Sequence, residues 1–211
     1  MTLKASPKLR RHTDNRSIAD KVLLRSMVIK KAQLEPVRVL DLFAGEGNIW
    51  NEMRRKNNSA HVAVESYTPI DRVARQPGQI RFKITPRLFE ALDLSRFNVV
   101  DVDTYGDPFS IWHEILFHIT CPTAVFLTRG RVTYGAGKMP ITQHAKRVMG
   151  MPVEWDVPGK IELLNYADRC CLLEECPTAQ ISFGFRIELR RVDYYGLFVE
   201  PGRINYLGVE R

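Results

Sequence analysis

Val37-Arg-Val-Leu-Asp41-Leu-Phe43-Ala44-Gly45-Glu-Gly47-Asn48 is the stretch whose reading decides the fold. Its first six residues form a short apolar run closed by an acid, which reads as a buried strand. Pro36 sets off the run from what precedes it. Two glycines then supply a turn, and a helix begins at about Asn48. A strand that ends in a carboxylate and passes through a Gly-rich turn into a helix is the opening unit of an open α/β sheet. Ligands in such sheets bind beyond the carboxyl ends of the strands.

The alternation continues outward from this unit. His61 to Glu65 is expected as a second strand, Thr68 to Ala74 as a helix and Pro77-Gly78 as a turn. Gln79 to Ile84 reads as a third strand, Pro86 to Leu92 as a short helix, Phe97 to Asp103 as a fourth strand, Phe109 to His118 as a helix and Ala124 to Thr128 as a fifth strand. Thr142 to Met149 and Lys160 to Cys171 are expected helices. Gln180 to Arg190 and Tyr194 to Glu200 are expected to close the chain as a hairpin. The pattern predicts an α/β fold with a mostly parallel sheet, helices on both faces and a C-terminal antiparallel hairpin. Upstream, Ser17 to Lys31 reads as an amphipathic helix with Ile18, Val22, Leu23, Met27 and Ile29 on its apolar side. Residues 1–15 are expected as a basic flexible segment, and residues 16–211 as one domain.

Composition supports an ordinary globular protein: 211 residues, 45% hydrophobic and 26% charged. The longest apolar runs are too short to span a membrane, and the basic N-terminus lacks the apolar core of a secretory signal, so a cytoplasmic location is expected. Cys121, Cys170, Cys171 and Cys176 show no zinc-site spacing and read as small, mostly buried hydrophobes. His12, His61, His113, His118 and His144 likewise form no metal pattern, and no metal is expected. The oligomeric state is left open.

Charge is unevenly distributed. Residues 1–31 hold nine Lys or Arg, including Lys8, Arg10, Arg11 and Arg16, against Asp14 and Asp20. That surplus equals the whole chain's +7. A concentrated basic segment beside a neutral domain suits a polyanion such as nucleic acid; the alternative is a solvated tail. The loop with Arg129, Arg131 and Lys138 follows the fifth strand and is expected either to contact phosphate or to be an exposed turn.

Two ligand classes compete for the Gly-rich turn. A dinucleotide site wants G-x-G-x-x-G, but Trp50 holds the third position, and Asp41 would set a negative charge near the phosphates. S-adenosylmethionine has no phosphate and carries a sulfonium and an ammonium, so Asp41 favours it by charge. Glu65, at the end of the second expected strand, is placed to accept hydrogen bonds from ribose hydroxyls; the alternative is a solvated acid. At the fourth strand's end, Asp101 and Asp103 fall on one side by strand alternation, in the segment Asp101-Val-Asp103-Thr104-Tyr105-Gly106.

V-L-D-L-F-A-G-E-G resembles the first motif of the Rossmann-like methyltransferases, and the order of elements from residue 37 to about 200 is similar to their seven-stranded sheet. The resemblance implies that S-adenosylmethionine binds at Asp41, Phe43, Ala44, Gly45, Gly47 and Asn48, with Glu65 on the ribose. The acid that the family often carries after the third strand is missing, the sequence there being Ile84-Thr85-Pro86. D-x-D-T-Y-G resembles the D-x-D-P-F-G segment of the tRNA guanine dimethyltransferases, with Thr104 in place of Pro. That likeness implies transfer to an exocyclic amine of a nucleic-acid base, RNA favoured over DNA, with Asp103 accepting from the amine, Tyr105 stacking on the base and Asp101 beside them. Asp103 and Tyr105 are alternatively a helix-capping acid and a packed aromatic. The rival functions are methylation of a protein or small molecule, and nucleic-acid binding without turnover.

Overall fold

The computed structural model describes residues 17–56, 58–85, 87–104, 106–130, 139–155, 158–159, 161–173, 179–189 and 192–202. In chain order the elements are α1 (Ile18–Lys31), β1 (Val37–Leu42), α2 (Asn48–Met53), β2 (Val64–Asp71), β3 (Ile80–Arg81), α3 (Leu88–Ala91), β4 (Val99–Val102) and α4 (Phe109–His118). They continue as β5 (Thr123–Gly130), β6 (Met139–Pro140), α5 (Gln143–Val148), β7 (Pro158–Gly159), α6 (Ile161–Leu172), β8 (Ala179–Leu189) and β9 (Val192–Pro201). Seven strands form one sheet in the order β3-β2-β1-β4-β5-β9-β8. β1 to β5 are parallel, and β9 and β8 are added antiparallel, so the expected mixed sheet and closing hairpin are present. β6 and β7 form a small separate antiparallel pair that the sequence pattern did not announce.

The chain moves outward in one direction from β1 to β3 and in the other from β4 to β5. The topological switch therefore lies between β1 and β4, and the crevice above it is where an open α/β sheet binds its ligand. Alternation along the strands divides the core in two. Leu40, Leu42, Val100, Val102, Val125 and Leu127 pack with Phe109, Trp112 and Ile115 of α4. Val37, Val39, Val99, Ala124 and Phe126 pack on the other face against Val22, Leu24 and Val28 of α1 and Trp50 and Met53 of α2. Each such side chain removed from water contributes ~1.5–3 kcal/mol. Gly196 on β9 permits the close seating of α1, since a Cβ there would lie 2.8 Å from Val28 Cγ2.

Three expectations are corrected. In α1, Leu23 is 52% exposed and Met27 40%, whereas Leu24, Arg25 and Val28 are buried. The inward stripe carries charges because acids wait beneath it, and a reading that turns every charge outward rotates the helix wrongly. The second strand runs from Val64 to Asp71 instead of ending at Glu65, and the helix expected over Thr68–Ala74 is strand as far as Asp71 and irregular beyond it. Tyr67, Thr68 and Ile70 favour extended backbone, Pro69 is unsuited to a helix interior, and parallel pairing with β1 extends to Ile70. The third strand shrinks to Ile80–Arg81.

Candidate functional site

The parity that sends Val37, Val39 and Val99 toward α1 sends Asp41, Asp101 and Asp103 there too. Two cations of α1, one helical turn apart, meet two of these acids. Arg25 donates to both oxygens of Asp101, Nε at 2.7 Å and Nη2 at 2.6 Å. Lys21 Nζ lies 2.7 Å from each oxygen of Asp103. Four residues of helix rise about 6 Å and two residues of strand about 6.6 Å, so the i, i+4 pair fits the i, i+2 pair. Trp50 Nε1 donates to Asp101 Oδ2 at 2.8 Å. The residue that breaks the dinucleotide pattern is thus a buried part of this layer.

A cavity of about 350 Å³ opens at the carboxyl ends of β1, β2 and β4, a size suited to a small ligand. It is lined by Asp41, Phe43, Ala44, Gly45, Gly47 and Asn48 from the first strand–helix turn, by Asp71 from β2, and by Asp103, Lys21 and Ile18. Gly45 and Gly47 sit at φ 54° and 70°, in the left-handed region where glycine is unstrained. Phe43 is also held there, at φ 65°, a conformation costly for a bulky residue and typical of functional turns. Asp71 Oδ2 accepts from Gly45 N at 3.0 Å, tying the Gly-rich turn to the end of β2.

The electrostatics are graded. Burial, with the neighbouring charge of Asp101 next, raises Asp41 well above the usual carboxylate range. Tyr67 donates to Asp41 Oδ2 at 2.8 Å and offsets part of this. No cation hydrogen-bonds Asp41 among the described residues. Burial and the charge of Asp41 in turn raise the Tyr67 phenol. At Asp103, burial pushes upward, but the Lys21 ammonium, with Arg25 behind it, outweighs it and holds the carboxyl below its ordinary value. The described residues thus set three carboxylates against two cations, and Asp41 is the acid without its own.

Several expected site residues fall elsewhere. Glu65 lies toward the amino end of β2, exposed and 3.7 Å from Arg38, away from the cavity. Asp71 holds the strand-end position that the early termination of the strand had given to Glu65. Asp101 is 1% exposed with both oxygens engaged, so it does not reach a ligand. Arg129 is buried, bonded to Asp168 Oδ1 at 3.2 Å and set over the Phe109 ring, and so is not offered to phosphate. Asp168 itself is raised by burial, against the pull of Arg129. Lys8, Arg10, Arg11, Arg16, Tyr105, Arg131, Lys138 and Cys176 lie outside the described residues. Thr104, in place of the family's Pro, accepts from Gly106 N at 2.8 Å and closes the turn. Asp107, just ahead of α4, accepts from Phe109 N at 2.9 Å and closes a turn into the helix. Lys21, Arg25 and Asp71 were missed. An i, i+4 cation pair facing a D-x-D strand was the signal for the first two, and the β-branched run before Asp71 for the third.

No family model and no curated protein sequence matches the chain. Solved structures do. Trm1 from Pyrococcus horikoshii, in complex with S-adenosyl-L-methionine, superposes with a TM-score of 0.50 at 12% identity, over 90% of this chain and 56% of that one. The fold is that of the Rossmann-like methyltransferases. The chain spans just over half the length of the Trm1 structure. Two further matches are the plantazolicin methyltransferase BpumL, with a peptide analogue and SAH (TM-score 0.44, 9% identity, 90% and 86% of the two chains), and an S-adenosylmethionine-dependent methyltransferase from Archaeoglobus fulgidus (0.41, 11%, 89% and 97%). Among the described residues no helix is long and apolar enough to cross a membrane.

Proposed function

We propose that the protein is an S-adenosylmethionine-dependent methyltransferase acting on an exocyclic amine of a base in nucleic acid, RNA favoured over DNA. The observation that carries the reading is the Asp41 carboxyl: buried, raised, facing a cavity of ligand size and, among the described residues, lacking a cation of its own. The ammonium of the cofactor's methionine end would supply that cation. The Gly45–Gly47 turn brings backbone close without a Cβ in the way, and Asp71, half-buried and lining the cavity, keeps lone pairs for ribose hydroxyls beyond those that accept from Gly45 N and Val73 N. The residues therefore fit the group.

When bound, the cofactor supplies an electrophilic methyl on a sulfonium. The chain's own part is positioning and charge. Asp103, held ionised at the mouth of the cavity, accepts a hydrogen bond from the substrate amine and aims its lone pair at the methyl carbon. To do so it exchanges the Lys21 ammonium for the amine. Asp103 would take up the amine proton released on transfer and pass it to solvent. Tyr105 is assigned the stacking of a base flipped from its neighbours. The basic residues of the N-terminal segment, Lys8, Arg10, Arg11 and Arg16, and those of the later loop, Arg131 and Lys138, are assigned to phosphate.

One observation favours a second reading, a nucleic-acid binder of this fold without turnover: Lys21 already occupies both oxygens of Asp103. Incubation with methyl-labelled S-adenosylmethionine and total cellular nucleic acid, with the label split by nuclease sensitivity, separates the two. Label in RNA that falls about 100-fold in Asp103→Ala is the expected result. Cofactor binding with no label in any polymer would move the assignment to the second reading or to a protein or small-molecule acceptor.

A further inference from the structure

The basic surplus of the N-terminal segment hides a second concentration of charge. From Arg72 to Phe89 the chain carries Arg72, Arg75, Arg81, Lys83 and Arg87 and no acid. All five are exposed, and none forms an ion pair among the described residues. Three of them share the cavity rim, and the other two flank it in the chain. Arg72, Arg75 and Lys83 border the cavity, Arg81 lies on β3 at the edge of the sheet, and Arg87 precedes α3. Phe82, 46% exposed, stands between Arg81 and Lys83. The cavity lining includes Asp41, Asp71 and Asp103, while its rim on this side is cationic.

We infer that this surface, running from the cavity rim over the sheet edge to the start of α3, is the track for a single-stranded nucleic acid. The five cations follow the phosphates and Phe82 is the stacking platform. The inference rests on the proposed reading of the chain as a nucleic-acid methyltransferase and names where that substrate lies. Cations interleaved with an exposed aromatic distinguish a single strand from other polyanions. Phosphate neutralisation supplies salt-dependent affinity and the ring adds stacking that any base accepts. The placement is economical, since a strand tracked along this edge delivers a flipped base to the cavity mouth, where Asp103 sits. The competing account is that the charges only keep an unpaired edge strand from pairing with another chain.

The test uses residues of the surface that do not line the cavity. The full chain, the double variant Arg81→Glu/Arg87→Glu and Phe82→Ala are titrated against labelled 20-nucleotide unstructured RNA and DNA by fluorescence anisotropy at several salt concentrations. Calorimetry with S-adenosylhomocysteine is run on each in parallel. The expected result is that the double variant binds about 10-fold more weakly and its log–log salt slope falls by about 1.4, from two lost phosphate contacts at about 0.7 each. Phe82→Ala is expected to lose about 10-fold with the slope unchanged. S-adenosylhomocysteine affinity stays at the wild-type value in both. Wild-type oligonucleotide affinity and slope in both variants would overturn the track and leave the edge-protection account. Stronger binding to phosphatidylserine vesicles than to either oligonucleotide would overturn it in favour of a membrane surface. In either case retained S-adenosylhomocysteine binding leaves the cofactor reading standing, and its loss in the wild-type chain would overturn that reading separately.

Discussion

Asp101 and Asp103 are two residues apart, on the same side of β4, and each is held by a cation from α1. Their layers nevertheless differ in kind. The inner layer is closed: Asp101 accepts from two nitrogens of a 1%-exposed arginine side chain and from the indole of Trp50, and almost none of it meets solvent. The outer layer is open: Asp103 retains 19% of its side-chain surface and borders the cavity with Asp41. Depth along one strand converts a repeated chemistry from a structural fastening into a group that can exchange partners. A planar guanidinium matches a carboxylate at two points and suits the sealed position, while the single ammonium of Lys21 is the easier one to displace.

The largest expected effect falls on the inner layer. Arg25→Ala leaves a buried carboxylate without its cation and is expected to cost ~3–5 kcal/mol of stability, read from the urea midpoint. A cost near that of a surface substitution would mean that the layer is not sealed. Next comes Asp41→Asn at the open layer. It is expected to weaken S-adenosylhomocysteine binding about 10- to 100-fold, the worth of a charged hydrogen bond of ~1.5–3 kcal/mol, measured by calorimetry. Its stability effect has the opposite sign. Because Asp41 is raised, the folded protein holds that proton more tightly than the unfolded chain. Wild-type stability therefore falls as pH rises from 3.8 through the raised value, and the Asn variant lacks this fall. Above that window the variant is expected to be at least as stable as the wild type while binding worse.

The smallest effect is expected from Lys21→Met. The depressed carboxyl of Asp103 contributes stability that is present above 3.8 and lost as pH falls through its lower folded value. The variant loses about 1 kcal/mol at neutral pH, as befits a pair at the mouth of a cavity. Its midpoint is also expected to change less between about pH 5 and pH 2 than that of the wild type. An unchanged acid limb would show that Lys21 and Asp103 do not interact in solution.

Much of this arrangement was legible in the chain, and the limits of that reading have specific causes. The V-R-V-L-D-L run, the Gly45 and Gly47 turn and the alternation after it marked the sheet and the place of its cavity. Local backbone preference and side-chain period suffice for that. Strand parity also put Asp101 and Asp103 on one side. It could not say that one would be sealed and the other open, because that depends on where α1 lands. The direction of α1 was misread for the same reason. Charge on a helix normally faces water, and only the acids of β4, 76 to 82 residues away in sequence, turn Arg25 and Lys21 inward.

The extent of β2 is a second case. Its last residues lengthen the strand because β1 offers them parallel partners, and this moves the strand-end acid from Glu65 to Asp71. Sequence by itself determined the fold class, the Gly-rich turn and the face on which the acids lie, since these follow from contacts between near neighbours in the chain. Tertiary structure alone decided which acids are fastened, which is left without a cation among the described residues and which meets the cavity. Those outcomes depend on burial and on charges brought together from distant segments, and desolvation has no value until the surrounding fold is in place.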